Sequence, residues 1–434
     1  MFKVFANAWK IDDLRKKLIF TLFVIILFRL GCAIPVPFLD TSKLKDLFSG
    51  YLQSGNILGY LNIMAGGALE NATLFSLSIT PYINASIIMQ LLMVAIPALE
   101  RMMKEDGERG QKIMNRWTRY LTVIFSFLLG FGYFTILKNR LEVIPSKFDN
   151  FFAISVIVCS FAVGATIIMW LGEKINEKGI GNGISIILFA GIVSRLPQMI
   201  SGGYHYIEGN DFKWTNCVVL LVIIAVAVAL VAFVVFITEG ERRIPVQYAK
   251  RVVGRKMYGG ANTHIPLKVN MTGVMPIIFA QSFVMLPSTI VSFFPKLEKS
   301  WFGKLTAING GYLYAICMFL LIIFFSYFYT IITFSPVEVA NNLKKNGGFI
   351  MGIRPGRPTS DFISKTLNRV TLLGAIFLGL IAAVPALGSK WLPNSLSVLA
   401  IGGTSLLIVV GVALETVKQL ESQMTMRHYK GFLE

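Results

Sequence analysis

In the stretch SITPYINASIIMQLL, residues 78–92, Ile79 and Ile83 stand one helical turn apart, and Ser86 and Gln90 continue the same stripe. Thr80, Pro81 and Asn84 add to its polarity, so the stretch is too polar for a helix bathed in lipid. An apolar pair followed by a polar strip must face something else. Groups that carry covalent chemistry are scarce around it. His205, His264 and His428 all fall in predicted loops, which leaves no serine–histidine pair inside a span. No span holds two aspartates, and no G-x-x-x-x-G-K-[ST] pattern for nucleotide phosphates occurs. Cys32, Cys159, Cys217 and Cys317 are scattered over different apolar runs and read as small apolar fillers, neither a disulfide framework nor a metal site. An ion-coupled transporter typically keeps an ionisable residue near mid-membrane. Here Glu100, Glu173, Glu239 and Glu415 fall at or beyond span ends. The sequence therefore points away from an enzyme, a cofactor or a metal, and toward a passive conduit or a scaffold.

The elements that position this stripe follow from hydropathy. Of the 434 residues, 55% are hydrophobic and only 15% charged, against nearly half and about a quarter in soluble domains. Mean hydropathy is +0.66. The excess comes in long runs such as CVVLLVIIAVAVALVAFVVFI (217–237), which has no charge over the ~20 residues that cross a bilayer. Candidate spans are 18–38, 74–97, 119–137, 151–171, 183–200, 216–237, 273–295, 312–334, 369–387 and 395–415. The first lacks an A-x-A-like cleavage site and is expected to remain as a span. An even number of spans puts both termini on one side. The segments on that side hold most of the 41 Lys and Arg, so the positive-inside rule places both termini in the cytoplasm.

The net charge of +18 needs no nucleic acid to explain it, yet two basic loops, 238–272 and 335–368, are unusually long. Orientation needs only a few charges in short loops. Loops of this length, punctuated by Gly, Pro and aromatics, favour docking surfaces for a partner, either a ribosome, whose phosphates attract Lys and Arg, or a soluble motor. On the outer side, NILGYLNIMAGGALENATLFS (56–76) is semi-apolar, too broken to span, and fits a segment folded back into a cavity. ITPYINASIIMQLL and VMPIIFAQSFVMLP each place Pro, Ile, Ser and Gln within two turns, and each lies in the second span of a group of five. That pairing suggests two five-span halves of inverted topology.

FRLGCAIPVP (28–37), ITPYINASIIMQLL, GEKINEKGIGNGISIILFAGIV (172–193), THIPLKVN (263–270), NNLKKNGGFIMGIRPG (341–356) and GGTSLLIVV together resemble the SecY family, the central subunit of the bacterial protein-translocation channel. The resemblance runs over essentially the whole chain. It implies an all-α polytopic membrane protein, ten transmembrane helices in two pseudo-symmetric halves forming a clamshell around a pore. The halves would be 18–200 and 216–415, joined by the outer loop 201–215, with a cytoplasmic segment 1–17 and a tail 416–434. A pore ring is implied at Ile79, Ile83, Ile184, Leu188, Ile278 and Ile408; Leu188 replaces a usual isoleucine and keeps the apolar character. The plug would lie at about 57–72, including Ile63, Met64, Gly66, Gly67, Ala68 and Leu69. Ser86, Gln90, Gln281 and Ser282 would line a lateral gate to the lipid bilayer. Lys250, Arg251, Arg255, Lys256, Lys344, Lys345, Arg354 and Arg357 would meet the SecA ATPase or the ribosome and its rRNA. SecE and SecG would be the membrane partners, signal peptides and nascent polypeptides the cargo, and the bacterial cytoplasmic membrane the location. On that reading the isoleucine stripe faces other isoleucines across a pore, and Ser86 and Gln90 line a wet cytoplasmic funnel. A small-molecule transporter and a membrane scaffold are the rival readings.

Overall fold

The computed structural model describes residues 2–40, 44, 62, 65–139, 150–197, 201, 214–248, 251–253, 256–258, 262–293, 312–388 and 397–430. A short helix α1 (Phe2–Trp9) precedes α2 (Asp12–Gly31). Asp12 and Asp13 occupy the first turn of α2, where carboxylates complement the helix dipole. Leu22, Phe23, Ile26 and Leu30 are exposed along α2 while Val24 and Phe28 are buried. An apolar face left open in this way suits lipid, where it has no water to avoid.

α3 (Thr80–Ala95) begins with Pro81 in its first turn and stops before Pro97. Ile96, forced out of helical geometry by that proline, has φ −109° and ψ 106°. The chain then bends by 101° into α4 (Pro97–Glu105). The span expected at 74–97 is thus helical only from Thr80; residues 74–79 run in turns, with Ser78 at φ +50°. α5 (Glu108–Asn139), α6 (Phe151–Lys178) and α7 (Gly183–Val193) complete the first half. Asn182 caps α7, its side chain accepting from the Ile184 amide at 3.1 Å.

The second half contains α8 (Trp214–Glu239), α9 (Met275–Phe293), α10 (Tyr312–Thr333), a short α11 (Pro336–Lys345), α12 (Arg357–Gly388) and α13 (Ser397–Lys430). Ten of these helices, α2, α3, α5 to α10, α12 and α13, fall on the ten expected spans. Among the described residues, four helices are long and apolar enough to cross a membrane alone, and the bent α3–α4 pair makes a fifth.

The basic loops are more ordered than loops. β1 (Glu241–Tyr248), β2 (Arg251–Val253), β3 (Lys256–Tyr258), β4 (Asn262–Lys268) and β5 (Gly348–Ile350) form two small antiparallel sheets, in the orders β4-β1-β5 and β2-β3. In β1, Ile244 and Val246 are buried while Arg243 and Pro245, which alternate with them, are exposed, the period-two pattern of a half-covered strand. Ile244 pairs with Ile265 and Val246 with Ile350. Their apolar face packs with Leu343, Ile363 and Leu367. The helical fold expected from sequence therefore carries a sheet, whose first strand leaves α8 where Glu239 pairs with Lys418 of α13 at 2.9 Å.

The two halves pack directly on each other. α9 lies against α3 and α5, and α13 lies against α7. The largest buried cluster runs through this contact and draws side chains from α2, α3, α6, α7, α8, α9, α10, α12 and α13.

Candidate functional site: an apolar layer, an inserted segment and a seam

Ile79, Ile83, Leu188, Ile278 and Ile408 are all buried, and all belong to that one cluster, with Ile184 packed against it. They come from α3, α7, α9 and α13, two helices from each half. Ile79 is the residue before α3 rather than its first turn, but its carbonyl accepts the Ile83 amide at 3.1 Å, so the two side chains keep helical spacing. Polar atoms lie buried around the layer. Asn84 Oδ1, Gln90 Oε1, Ser185 Oγ and Ser405 Oγ have no hydrogen-bond partner among the described residues. Buried polar atoms of this kind are ordinarily satisfied by ordered water.

The segment expected to plug the outer side is folded into the same interior. Ala65 and Ala68 join the central cluster, and Leu69 and Ala72 pack in a neighbouring one with Tyr133 and Phe161. Gly66 and Gly67 have φ +64° and +87°, the left-handed region that favours glycine. Tyr133 Oη donates to the Leu69 carbonyl at 2.8 Å, and Ser76 Oγ to the Ala68 carbonyl at 2.9 Å. Ile63 and Met64 lie outside the described residues.

Of the residues expected at a lateral gate, Ser86 and Gln90 lie on α3 and Gln281 and Ser282 on α9, helices that pack on each other between the halves. Gln90 Nε2 donates to Ser86 Oγ at 3.2 Å on α3, and Gln281 and Ser282 are buried on α9. α9 is seated on α3 and α5.

Of the expected docking residues, Lys344 and Lys345 end α11, Arg354 lies in the turn after β5, and Arg357 opens α12; all four are exposed. Gly352 (φ +81°) and Gly356 (φ +106°) shape that turn, and the Thr359 hydroxyl fixes it by donating to the Arg354 carbonyl at 2.8 Å. Arg251 and Lys256 lie on the β2–β3 hairpin. Lys250 and Arg255 lie outside the described residues.

Sequence reasoning missed four residues at the inserted segment. Arg195 Nη2 lies 2.8 Å from Glu70 Oε1, and Asn62 Nδ2 donates to Glu70 Oε2 at 2.7 Å. Arg29 Nη1 donates to the Gly66 carbonyl at 3.1 Å. Arg29 and Arg195 were legible only as charges inside or at the end of a span, and that rarity was the available signal.

Two five-helix halves closing on a shared apolar layer, with a chain segment folded into the interior, define a membrane channel of clamshell form. Solved structures share this fold. One described as the structure of a protein conducting channel aligns with a TM-score of 0.66 at 17% identity, covering 94% of this chain and 92% of that one. The canine Sec61 channel in a ribosome–channel complex aligns with a TM-score of 0.61 at 16% identity, over 94% and 92% of the two chains. Sequence comparison is closer. The protein translocase subunit SecY of Streptomyces scabiei is 43% identical over 446 residues, covering all of both chains. That of Thermotoga maritima is 41% identical, covering all of this chain and 98% of the other. The SecY family pattern matches residues 73–417. The chain belongs to the SecY family: it is a multi-pass channel subunit of a protein translocase, not an enzyme.

Proposed function

We propose that the chain resides in a bacterial cytoplasmic membrane with both termini in the cytoplasm, and passes unfolded secretory polypeptides through the apolar layer between its halves. Ile79, Ile83, Ile184, Leu188, Ile278 and Ile408 form the waist. An apolar constriction excludes water and ions by dewetting, while a moving chain displaces the side chains. It needs no fixed donor to recognise cargo, so many sequences pass. Residues 57–72 are the plug. The α3/α5–α9 seam, with Ser86, Gln90, Gln281 and Ser282, opens sideways to admit signal peptides and release membrane segments into lipid. SecE and SecG complete the membrane complex. The motor SecA or a ribosome docks on the β2–β3 hairpin and the turn around Arg354; the canine neighbour is itself described in a ribosome complex.

One observation carries this reading. The waist candidates come from four helices of both halves, yet share a single buried cluster with Ala65 and Ala68 of the plug. The test is a cargo chain stalled in transit, with a photo-reactive group at position 83 or 408. Crosslinks from both positions to the cargo support the pore. Crosslinks only to neighbouring helices contradict it, as a transporter or scaffold would give.

A further inference from the structure

The plug segment is held by charged side chains, of which Arg195 and Glu70 are largely buried. Two adjacent glycines each seat one arginine. A Cβ on Gly67 would stand 2.6 Å from Arg195 Nη2, and one on Gly66 would stand 2.7 Å from Arg29 Nη1. Both glycines are left-handed, so the backbone presents itself to the guanidinium groups with no side chain between. Arg195 reaches one oxygen of Glu70 at 2.8 Å; their side chains are only 8% and 16% exposed. Asn62 holds the other oxygen at 2.7 Å and accepts the Glu70 amide on its own Oδ1 at 3.0 Å. Arg29 bridges the Gly66 carbonyl at 3.1 Å and Ser194 Oγ at 2.9 Å, tying α2, the plug and the end of α7 together.

The geometry points to a polar latch: Arg195 and Arg29 are positioning residues that hold the plug shut, through Glu70 and the Gly66 carbonyl, and so set how readily the resting channel opens. Every partner named here, together with Tyr133 on α5, belongs to the N-terminal half. The seam between the halves can therefore part without breaking the latch, which makes plug release a separate step from lateral opening. The energetics favour a switch over a continuous slide. A buried ion pair contributes little over an apolar substitute, but losing one partner leaves the other charge stranded. Glu70, largely buried in the latched state, regains full hydration by leaving with the plug, so breaking the pair biases the plug outward.

The latch rests on the reading of 57–72 as the plug, and charge exchange separates the two. The measurement is the resting conductance of the purified translocase complex in planar bilayers without cargo. The variants are Arg195→Glu, Glu70→Arg, the double exchange, Gly67→Ala, and deletion of 57–72. Each single reversal is expected to raise the resting open probability roughly tenfold or more, and the double exchange to return it most of the way to the parent. Gly67→Ala should leak as well, because it strains a positive φ and pushes into the Arg195 guanidinium. Rescue by the double exchange is a result that a loosened fold would not give. If the deletion leaks but the monodisperse single reversals stay as silent as the parent, the latch is wrong and the plug stands. Single reversals that leak without recovery in the double exchange also overturn the pairing. A silent deletion overturns the plug reading, and the latch with it.

Discussion

The carbonyl of Gly172 in α6 faces Gly183 at the start of α7 so closely that a Cβ on Gly183 would overlap the oxygen. Two helices approach this near only where the side chain is a hydrogen. α7 carries Ile184 and Leu188 into the central apolar cluster, so this contact fixes the helix that bears two of the proposed waist residues. Gly183→Ala is expected to push α7 off α6 at a cost of about 1–3 kcal/mol. The purified complex should lose its monodisperse gel-filtration peak at a lower temperature than the parent. An unchanged heat tolerance would show that the close approach relaxes freely.

Arg354 stands exposed in a turn that Gly352, Gly356 and the Thr359 hydroxyl shape. A planar fork of donors at a fixed tip suits a carboxylate or phosphate on a partner. Arg354→Glu is expected to abolish ATP-driven translocation in proteoliposomes containing the motor, while membrane insertion of the variant stays normal. Normal transport would mark Arg354 as a solvated loop charge.

Lys250, Arg251, Arg255 and Lys256 belong to the short stretch of chain that includes the β2–β3 hairpin. Phosphate contacts release counterions, and each one lost lowers the slope of log affinity against log salt by about 0.7–0.9. Reversing these four charges should weaken ribosome binding and flatten that slope. Wild-type affinity that is equal at low and high salt would rule out electrostatic docking.

The spans were legible because charge-free runs of bilayer length leave few alternatives, and the α3 stripe because Ile79, Ile83, Ser86 and Gln90 share one helical face. The sheet was not. β1 alternates over only a few residues, and its partners β4 and β5 lie elsewhere in the chain, so Ile244 and Val246 read as loop residues until Ile265 and Ile350 meet them. α12 begins at Arg357 within an expected loop because its first turns cover the sheet with Ile363 and Leu367 rather than facing lipid. The plug's partners were hidden for the same reason. Arg195 and Glu70 are far apart in sequence, and no local pattern pairs them. Ile278 and Ile408 have no spacing signal of their own; only the family resemblance brought them to the layer where the structure also buries them.

The central claim is that Ile83, Ile278 and Ile408, from α3, α9 and α13, form the barrier to ions. Asparagine at an ordinary packed position mainly destabilises, because its amide must find partners away from water. Asparagine at a pore waist gives water a foothold and leaves the fold intact. The direct measurement is single-channel conductance of the purified complex in planar bilayers, without cargo, for Ile83→Asn, Ile278→Asn, Ile408→Asn and their combinations. Folded variants should leak, double and triple substitutions more than single ones, and deletion of 57–72 should add to the leak because plug and waist close one path. Monodisperse variants as silent as the parent would contradict the account, since these isoleucines would then be packing residues and not the seal.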